Sequence, residues 1–130
     1  MNRVRIAAAL RRQVRERANG HCEYCLIAES QAFFPHELDH LIAQKPGGET
    51  TLGNLGLACF DCNRFKGTDI ASVDDVTGEI VGLFNPRAHH WPEHFSFGDG
   101  DIIPLTPVGR VTEKSCDLIF RIVLKFGGNS

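Results

Sequence analysis

The sequence has no apolar run that approaches the eighteen or so residues of a transmembrane helix, and no internal repeat or low-complexity linker. We therefore expect no membrane segment. The short apolar run Ile6–Leu10 is closed by Arg11 and Arg12, so we do not expect a secretion signal either. Positive charge is also not in surplus, because 14 Lys and Arg face 16 Asp and Glu. This balance excludes a general attraction to polyanions, and any contact with phosphate must be local.

The charge is nevertheless unevenly distributed along the chain. Residues 1–20 hold six arginines and one glutamate, and the rest of the chain is acidic. Within this basic segment, Ile6, Leu10 and Val14 recur every four positions, which predicts an amphipathic helix over Arg3–Ala18. Its arginines are either an ordinary solvated face or contacts for phosphate groups. The candidates for phosphate contact are Arg11, Arg12 and Arg15.

The five cysteines are an odd number, and four of them form two Cys-x-x-Cys pairs. Cys22 and Cys25 form the first pair, and Cys59 and Cys62 form the second. Two such pairs can place four sulfurs around one ion in the tetrahedral arrangement of structural zinc sites. A redox dithiol and a chance arrangement are the alternatives. The pattern predicts structural zinc in a reducing, cytoplasmic compartment, with Cys116 as a buried core thiol.

Asp39 and His40 stand side by side between the two cysteine pairs. Hydrolysis of a phosphodiester requires a base for the attacking water and positive charge near the departing oxygen. A neutral histidine accepts a proton near pH 7, and an aspartate binds a hard divalent cation such as Mg2+ or Mn2+. Neighbouring strand residues point to opposite sides, so base and metal ligand would not block each other. The pair predicts phosphodiester hydrolysis, with a structural histidine as the alternative.

Several short motifs follow one another in the middle of the chain. They are Cys22-Cys25, Asp39-His40, Gly47-Gly48, Asn54-Leu55, Cys59-Cys62-Asn63 and Lys66-Gly67. This order resembles the HNH endonuclease family. The resemblance implies that His40 is the general base and that Asn54 binds backbone across the loop and orients this histidine. It further implies that Asp39 and Asn63 bind the catalytic Mg2+ or Mn2+, although the family name expects histidine at the position of Asn63.

The fold implied by this resemblance is α+β, with a ββα-metal core stapled by the four-cysteine zinc site. Local patterns agree with it. Glu37–Ile42 is predicted to be a strand, and Phe60–Lys66 is predicted to be a helix stopped by Gly67. Around this core we expect an N-terminal helix, and on its other side a C-terminal hairpin plus helix.

With 130 residues and 42% hydrophobic content, the chain is expected to form a single domain over residues 1–130. We divide it into a basic N-terminal helix in 1–20, an HNH and zinc core in 21–70, and a C-terminal extension in 71–130 that packs on the core.

The extension shows weaker patterns. Asp69–Gly78 is acidic and is expected to be a surface loop, whereas Ile80–Phe84 is expected to be a strand. His94–Phe97 and Ile102–Leu105 flank a Gly-Asp-Gly-Asp turn and predict a hairpin. A helix is expected from Pro107 onward, although a β-branched run near the end also permits a strand.

The likeness continues into this extension, whose motifs look like those of a subgroup of small bacterial HNH proteins. The motifs are Leu83-Phe84-Asn85-Pro86-Arg87, Trp91, Glu93-His94-Phe95 and Thr106-Pro107-Val108-Gly109-Arg110. Trp91 and Phe95 are expected in the core.

Other histidines are not assigned to the site. His36 is expected at the surface, with a metal ligand or a substrate contact as alternatives. His89, His90 and His94 lie near Glu93, but no helical or knuckle spacing unites them. We therefore expect no second metal site there.

The sequence as a whole predicts a metal-dependent endonuclease that hydrolyses DNA phosphodiester bonds, with structural Zn2+ and catalytic Mg2+ or Mn2+. Duplex DNA is the expected partner. Arg64, Lys66 and Arg87 join the N-terminal arginines as candidate phosphate contacts, with ordinary surface charge as the alternative. Two other functions stay open, a non-catalytic zinc-stapled DNA-binding module and a zinc-stapled protein-interaction domain.

Overall fold

The structure, a computed structural model, describes residues 6–43 and 47–116. Its regular elements follow in the order α1 (Ala8–Arg17), β1 (Glu37–His40), β2 (Leu55–Ala58), α2 (Phe60–Lys66), β3 (Ala71–Val73), β4 (Ile80–Gly82), α3 (Trp91–His94), β5 (Phe95–Gly98) and β6 (Asp101–Pro104). A further helix, α4, covers residues 107–116. The strands pair antiparallel as β1 with β2, β3 with β4 and β5 with β6. The predicted α+β class is confirmed.

Helix α1 packs against one face of the β1–β2 hairpin. Val14 from the helix is fully buried with Leu55 and Leu57 from β2, and Leu38 from β1 packs around them. The apolar spacing that predicted the helix is therefore the spacing that buries it. Arg17, at the end of α1, donates hydrogen bonds to the carbonyl oxygens of β2 and of the turn before it.

The helix is shorter than predicted. It begins at Ala8, because the backbone of Ala7 is extended and its side chain cannot cap the helix. The predicted start at Arg3 falls in residues 1–5, which lie outside the described residues. The helix ends at Arg17, one residue before the predicted end at Ala18, and Asn19 and Gly20 beyond it adopt φ angles of 52° and 71°. These left-handed conformations stop the helix.

Helix α2 lies on the opposite face of the same hairpin. Successive side chains of β1 point to opposite faces of the hairpin. Leu38 packs with α1, whereas Glu37 and Asp39 contact Asn63 and Lys66 of α2. The order strand, strand, helix that the sequence predicted is confirmed. Its hairpin is thus enclosed between two helices.

Strand β1 ends at His40, two residues before the predicted end at Ile42. The reason is a side chain: Asn54 bonds both the N–H and the carbonyl of Ile42. His40 and Leu55 form the last backbone pair of the hairpin. Beyond them, the Asn54 side chain takes the place of backbone pairing between the strands.

The expected surface loop Asp69–Gly78 is partly wrong, because Ala71–Val73 within it forms strand β3 and pairs with β4. The turn between these strands is held by Asp74, a buried carboxylate that accepts two hydrogen bonds from Arg110. Three paired residues are too few to give a period-2 signal in the sequence.

The remainder of the extension packs on the part of the chain that carries the paired cysteines. The β5–β6 hairpin is confirmed, and the short helix α3 before it was not predicted. Trp91 of α3 lies 5.1 Å from both Phe95 and Phe97, measured between ring centroids, and its indole N–H donates to the carbonyl of Tyr24. Helix α4 begins at residue 107 as predicted, and the rest of that expected helix, from Leu118 to Phe126, lies outside the described residues.

Candidate active site

The four paired cysteines come together as the sequence predicted. Their sulfur atoms all lie within 4.8 Å of one another, and all four side chains are buried. None is in a disulfide, and the Sγ atoms of Cys25 and Cys59 are 3.8 Å apart. Backbone N–H groups of each Cys-x-x-Cys turn point at its first sulfur, as in the N–H bonds of Cys25 and Cys62 to Cys22 and Cys59. Four buried sulfurs fit a zinc ion in a closed structural site.

The electrostatics of this cluster also favour a bound cation. Burial raises the pKa of the Cys22 thiol, but hydrogen bonds from the other three thiols outweigh burial and bring that pKa well below its usual value. Hydrogen bonding to Cys22 in turn raises the pKa values of Cys25 and Cys62 well above the usual range. Cys22 is thus favoured as the thiolate, which is the form that binds metal, while Cys25 and Cys62 hold their protons more tightly.

His40 is the last residue of β1 and is half-buried. Its Nε2 atom lies 2.9 Å from the hydroxyl oxygen of Thr50, in the loop that joins β1 to β2. One ring nitrogen is thus engaged by the protein. The imidazole is held at the end of the strand, beside the loop that carries Thr50.

Asn54 fastens this loop. Its Oδ1 accepts a hydrogen bond from the N–H of Ile42 at 2.9 Å, and its Nδ2 donates to the carbonyls of Ile42 at 3.0 Å and Glu49 at 2.8 Å. Gly48 approaches the same backbone so closely that a Cβ atom there would lie 1.6 Å from the Ile42 oxygen. The loop residues next to Thr50 are therefore fixed by a side chain and by a position that only glycine fits.

Asp39 points to the other face of β1 and is only 6% exposed. Its Oδ2 accepts a hydrogen bond from the Tyr24 hydroxyl at 2.9 Å and lies 3.4 Å from Nζ of Lys66. Burial raises the pKa of the Asp39 carboxyl, although the Lys66 ammonium and the Tyr24 hydroxyl oppose that shift. The carboxylate is a hard donor that suits Mg2+ or Mn2+, but the protein's own lysine already neutralises it.

Asn63 lies in the middle of α2, close to β1. Its Nδ2 donates to Oε1 of Glu37 at 2.6 Å. Among the described residues, no hydrogen bond joins Asn63 to Asp39. The two expected metal ligands therefore lie on the same side of the hairpin, each engaged by a different neighbour.

The candidate phosphate contacts fall into two groups. Arg11, Arg12 and Arg64 are exposed. Arg15 bonds the Glu29 carboxylate at 2.7 and 2.8 Å, and Arg87 is ion-paired with Glu23.

Lys66, expected at the surface, is only 4% exposed and belongs to the Asp39 ion pair. Its position explains why: it follows the buried Cys62 by four residues and so shares the inward face of α2. That spacing was a signal in the sequence. The tyrosine that completes the contact, Tyr24, and the loop hydroxyl of Thr50 had no such signal.

Two further predictions concern buried groups. His36, expected at the surface, is 2% exposed, and its Nε2 lies 2.9 Å from the carbonyl oxygen of Ile27. This expectation was wrong, because His36 packs against the backbone of Ile27, just after the first cysteine pair. Cys116 is buried as predicted, and burial raises the pKa of its thiol to about 12.

Comparison with known proteins agrees with the geometry. The HNH endonuclease family model matches residues 22–69, the segment that contains the four cysteines and the hairpin with α2. The resemblance to the HNH family is thus confirmed over these residues, and this similarity suggests nuclease-type activity. No curated protein and no solved structure gives a significant match to the chain.

Within residues 6–43 and 47–116, no helix is both long enough and apolar enough to cross a membrane.

Proposed function

We propose that the protein is a metal-dependent endonuclease that hydrolyses phosphodiester bonds in DNA. The observation that carries this proposal is that two sets of contacts hold His40 and its loop in place. Asn54 forms hydrogen bonds with the backbone of Ile42 and Glu49, and the Thr50 hydroxyl lies within hydrogen-bond distance of the His40 imidazole. A purely structural histidine would not need its loop to be locked on both sides. A base does, because proton transfer requires a fixed distance to the attacking water.

In this proposal His40 is the general base. When Nε2–H donates to the Thr50 hydroxyl, Nδ1 carries the lone pair that accepts a proton from water. Asn54 is a positioning residue, since it acts on the loop and not on the substrate. The products are a 5′ phosphate and a 3′ hydroxyl.

Asp39 and Asn63 would hold the catalytic Mg2+ or Mn2+. When bound, such an ion stabilises the negative charge that develops on the leaving 3′ oxygen. Their oxygen atoms suit a hard cation, and both lie where α2 meets β1. Lys66 must release the Asp39 carboxylate for this role, so the ammonium group and the ion compete for the same oxygen.

DNA contact falls to the exposed cations. Arg11 and Arg12 of α1 and Arg64 of α2 present free positive charge at the surface, and we assign phosphate contact to them. Arg15 and Arg87 support this surface through their ion pairs with Glu29 and Glu23.

A second function has its own observation. The Asp39 carboxylate is already occupied by a hydrogen bond from Tyr24 and an ion pair with Lys66, and the Asn63 amide donates a hydrogen bond to Glu37. If these contacts persist in the presence of divalent ions, the protein is a zinc-stapled DNA-binding module without cleavage.

The two functions are separated by incubation of the protein with supercoiled plasmid and Mg2+ or Mn2+. The wild type should nick the plasmid, and His40→Ala should not. His90→Ala, which removes an exposed histidine of the extension, is the matched control and should cleave like the wild type. Equal nicking by the wild type and His40→Ala would reject the catalytic assignment. Binding without strand breaks would favour the DNA-binding module.

A further inference from the structure

A cluster of aromatic side chains lies on the surface beside α2. Phe33 is 84% exposed and Phe34 is 56% exposed. The ring of Phe34 packs on that of Phe60, with centroids 4.6 Å apart and an angle of 33° between the planes. The guanidinium carbon of Arg64 lies over the Phe60 ring, 4.1 Å from its centroid. We call these four residues the aromatic platform.

The platform borders the proposed metal ligand Asn63. Phe60 and Asn63 are three positions apart on α2 and therefore share a side of the helix, and Arg64 directly follows Asn63. The other part of the platform is tied to the same place, because Phe34 comes three residues before Glu37, whose carboxylate accepts the hydrogen bond of the Asn63 amide. A strand whose phosphate reaches Asn63 would therefore lie close to Phe60 and Arg64.

Phe33 and Phe34 expose more than half of their surface to water. A ring that is 84% exposed leaves most of its apolar surface in water, and the free energy of burying it is available to a ligand. The guanidinium of Arg64 lies over the Phe60 ring, and a guanidinium stacked in this way can still donate its N–H groups to a phosphate. Flat faces beside a phosphate are the surfaces that a nucleic acid strand presents when its bases are not paired.

We propose that the aromatic platform stacks unpaired bases of the DNA strand that is cleaved. This inference rests on the proposed nuclease function and refines its substrate class to single-stranded, bulged or frayed DNA, in place of uniform duplex. In a continuous duplex each base already stacks on its neighbours and offers no face to a side chain. The carboxylates of Glu37 and Asp61 stand close to the platform in the chain, so stacking and not charge carries this contact.

The test measures binding without cleavage. His40→Ala protein, with no added divalent ion, is titrated into fluorescent oligonucleotides and followed by anisotropy. The probes are a thymidine strand, the same strand with abasic sites in place of its bases, and a fully paired duplex. The thymidine strand should bind about tenfold more tightly than the abasic strand. Phe34→Ala should remove this ratio, and Phe34→Trp should keep it.

Phe97→Ala is the matched control, because Phe97 is 57% exposed and lies on β5, away from α2. It should leave the ratio unchanged. Equal binding of the thymidine and abasic strands, or an unchanged ratio in Phe34→Ala, would overturn the inference. Loss of self-association in Phe34→Ala, with DNA binding unchanged, would assign the platform to a second copy of the chain and also overturn it.

The two proposals fail separately. A wild type that nicks plasmid but shows no preference for bases would retain the nuclease and reject the platform. A protein that discriminates bases but never cleaves would retain the platform as a binding surface and reject the nuclease.

Discussion

The two faces of β1 are built in opposite ways. On one face His40 is half-buried and contacts a hydroxyl of the β1–β2 loop, which Asn54 holds in place by hydrogen bonds to its backbone. On the other face Asp39 is buried and closed by Tyr24 and the Lys66 ammonium. In the proposed mechanism the first face can accept a proton as it stands, whereas the second must exchange the Lys66 ammonium for a divalent ion. Asp39 and His40 are thus adjacent in the chain but point to opposite faces of the strand.

The largest expected effect is the loss of the fold that holds both faces of β1. Cys59→Ser takes one sulfur from the cluster that joins the start of α2 to the segment before β1. Structural zinc contributes on the order of 10 kcal/mol to the folding of small metal domains, so the variant should lose its zinc and unfold. Elemental analysis and circular dichroism measure both losses. Cys116→Ser, which changes a buried thiol outside the cluster, should keep about one zinc ion per chain.

The next effect should touch only the Asp39 face. Lys66→Met leaves a buried carboxylate without its cation and should lower the free energy of unfolding by about 3 kcal/mol. Lys114→Met, at an exposed pair with Asp75, should cost less than about 1 kcal/mol. Urea denaturation measures both.

The double variant Lys66→Met with Asp39→Asn completes this test. It should recover part of the lost stability, because no unpaired charge stays buried. If Lys66→Met is no more harmful than Lys114→Met, the Asp39 face is not closed by an ion pair.

A smaller effect should touch only the His40 face. Asn54→Ala removes three hydrogen bonds to the loop and should cost about 2 kcal/mol of stability. Cleavage should fall because His40 loses its fixed position, whereas the affinity for Mn2+ should be retained. The comparison is with Asn85→Ala, which removes one bond in a turn of the extension. Loss of Mn2+ affinity in Asn54→Ala would show that the two faces are not separate.

The smallest effect lies outside both faces. Hydrogen bonds from Arg110 hold the pKa of the buried Asp74 well below its ordinary value. The folded state then binds fewer protons than the unfolded chain, whose aspartates titrate near pH 3.9, about their reference value. The stability from this pair is therefore complete above that pH and is lost as the pH falls below it, through the lower pKa of Asp74 in the folded state.

In the wild type, the urea concentration at the midpoint of unfolding should fall as the pH is lowered below about 4, and Asp74→Asn should make this fall smaller. The cleavage rate of Asp74→Asn at neutral pH should match that of the wild type. If the midpoint falls equally in the wild type and in Asp74→Asn, the Asp74–Arg110 ion pair does not govern stability at acid pH.

How much of this was predictable depends on the kind of signal. The cysteine cluster and the order β1, β2, α2 followed from spacing, because Cys-x-x-Cys forces two sulfurs onto one turn and Gly67 ends the helix. The hairpin of β5 and β6 followed from its turn, where Asp99 and Gly100 adopt φ angles of 52° and 82°.

What the sequence did not reveal concerns side chains that oppose their usual preference. Lysine and histidine are usually exposed, so nothing in composition indicated that Lys66 and His36 are buried, although the spacing from Cys62 places Lys66 on the inward face. The exposed Phe33 and Phe34 were missed for the converse reason, since apolar residues are expected inside. These exceptions were set by tertiary contacts that a single chain pattern does not encode.

The division of roles across β1 is tested most directly by Mn2+ binding, followed by electron paramagnetic resonance on the zinc-loaded protein. His40→Ala should bind Mn2+ like the wild type, and Asn63→Ala should bind it at least about tenfold more weakly. If His40→Ala loses Mn2+ while Asn63→Ala keeps it, the ion belongs to the His40 face and the division proposed for Asp39 and His40 is wrong.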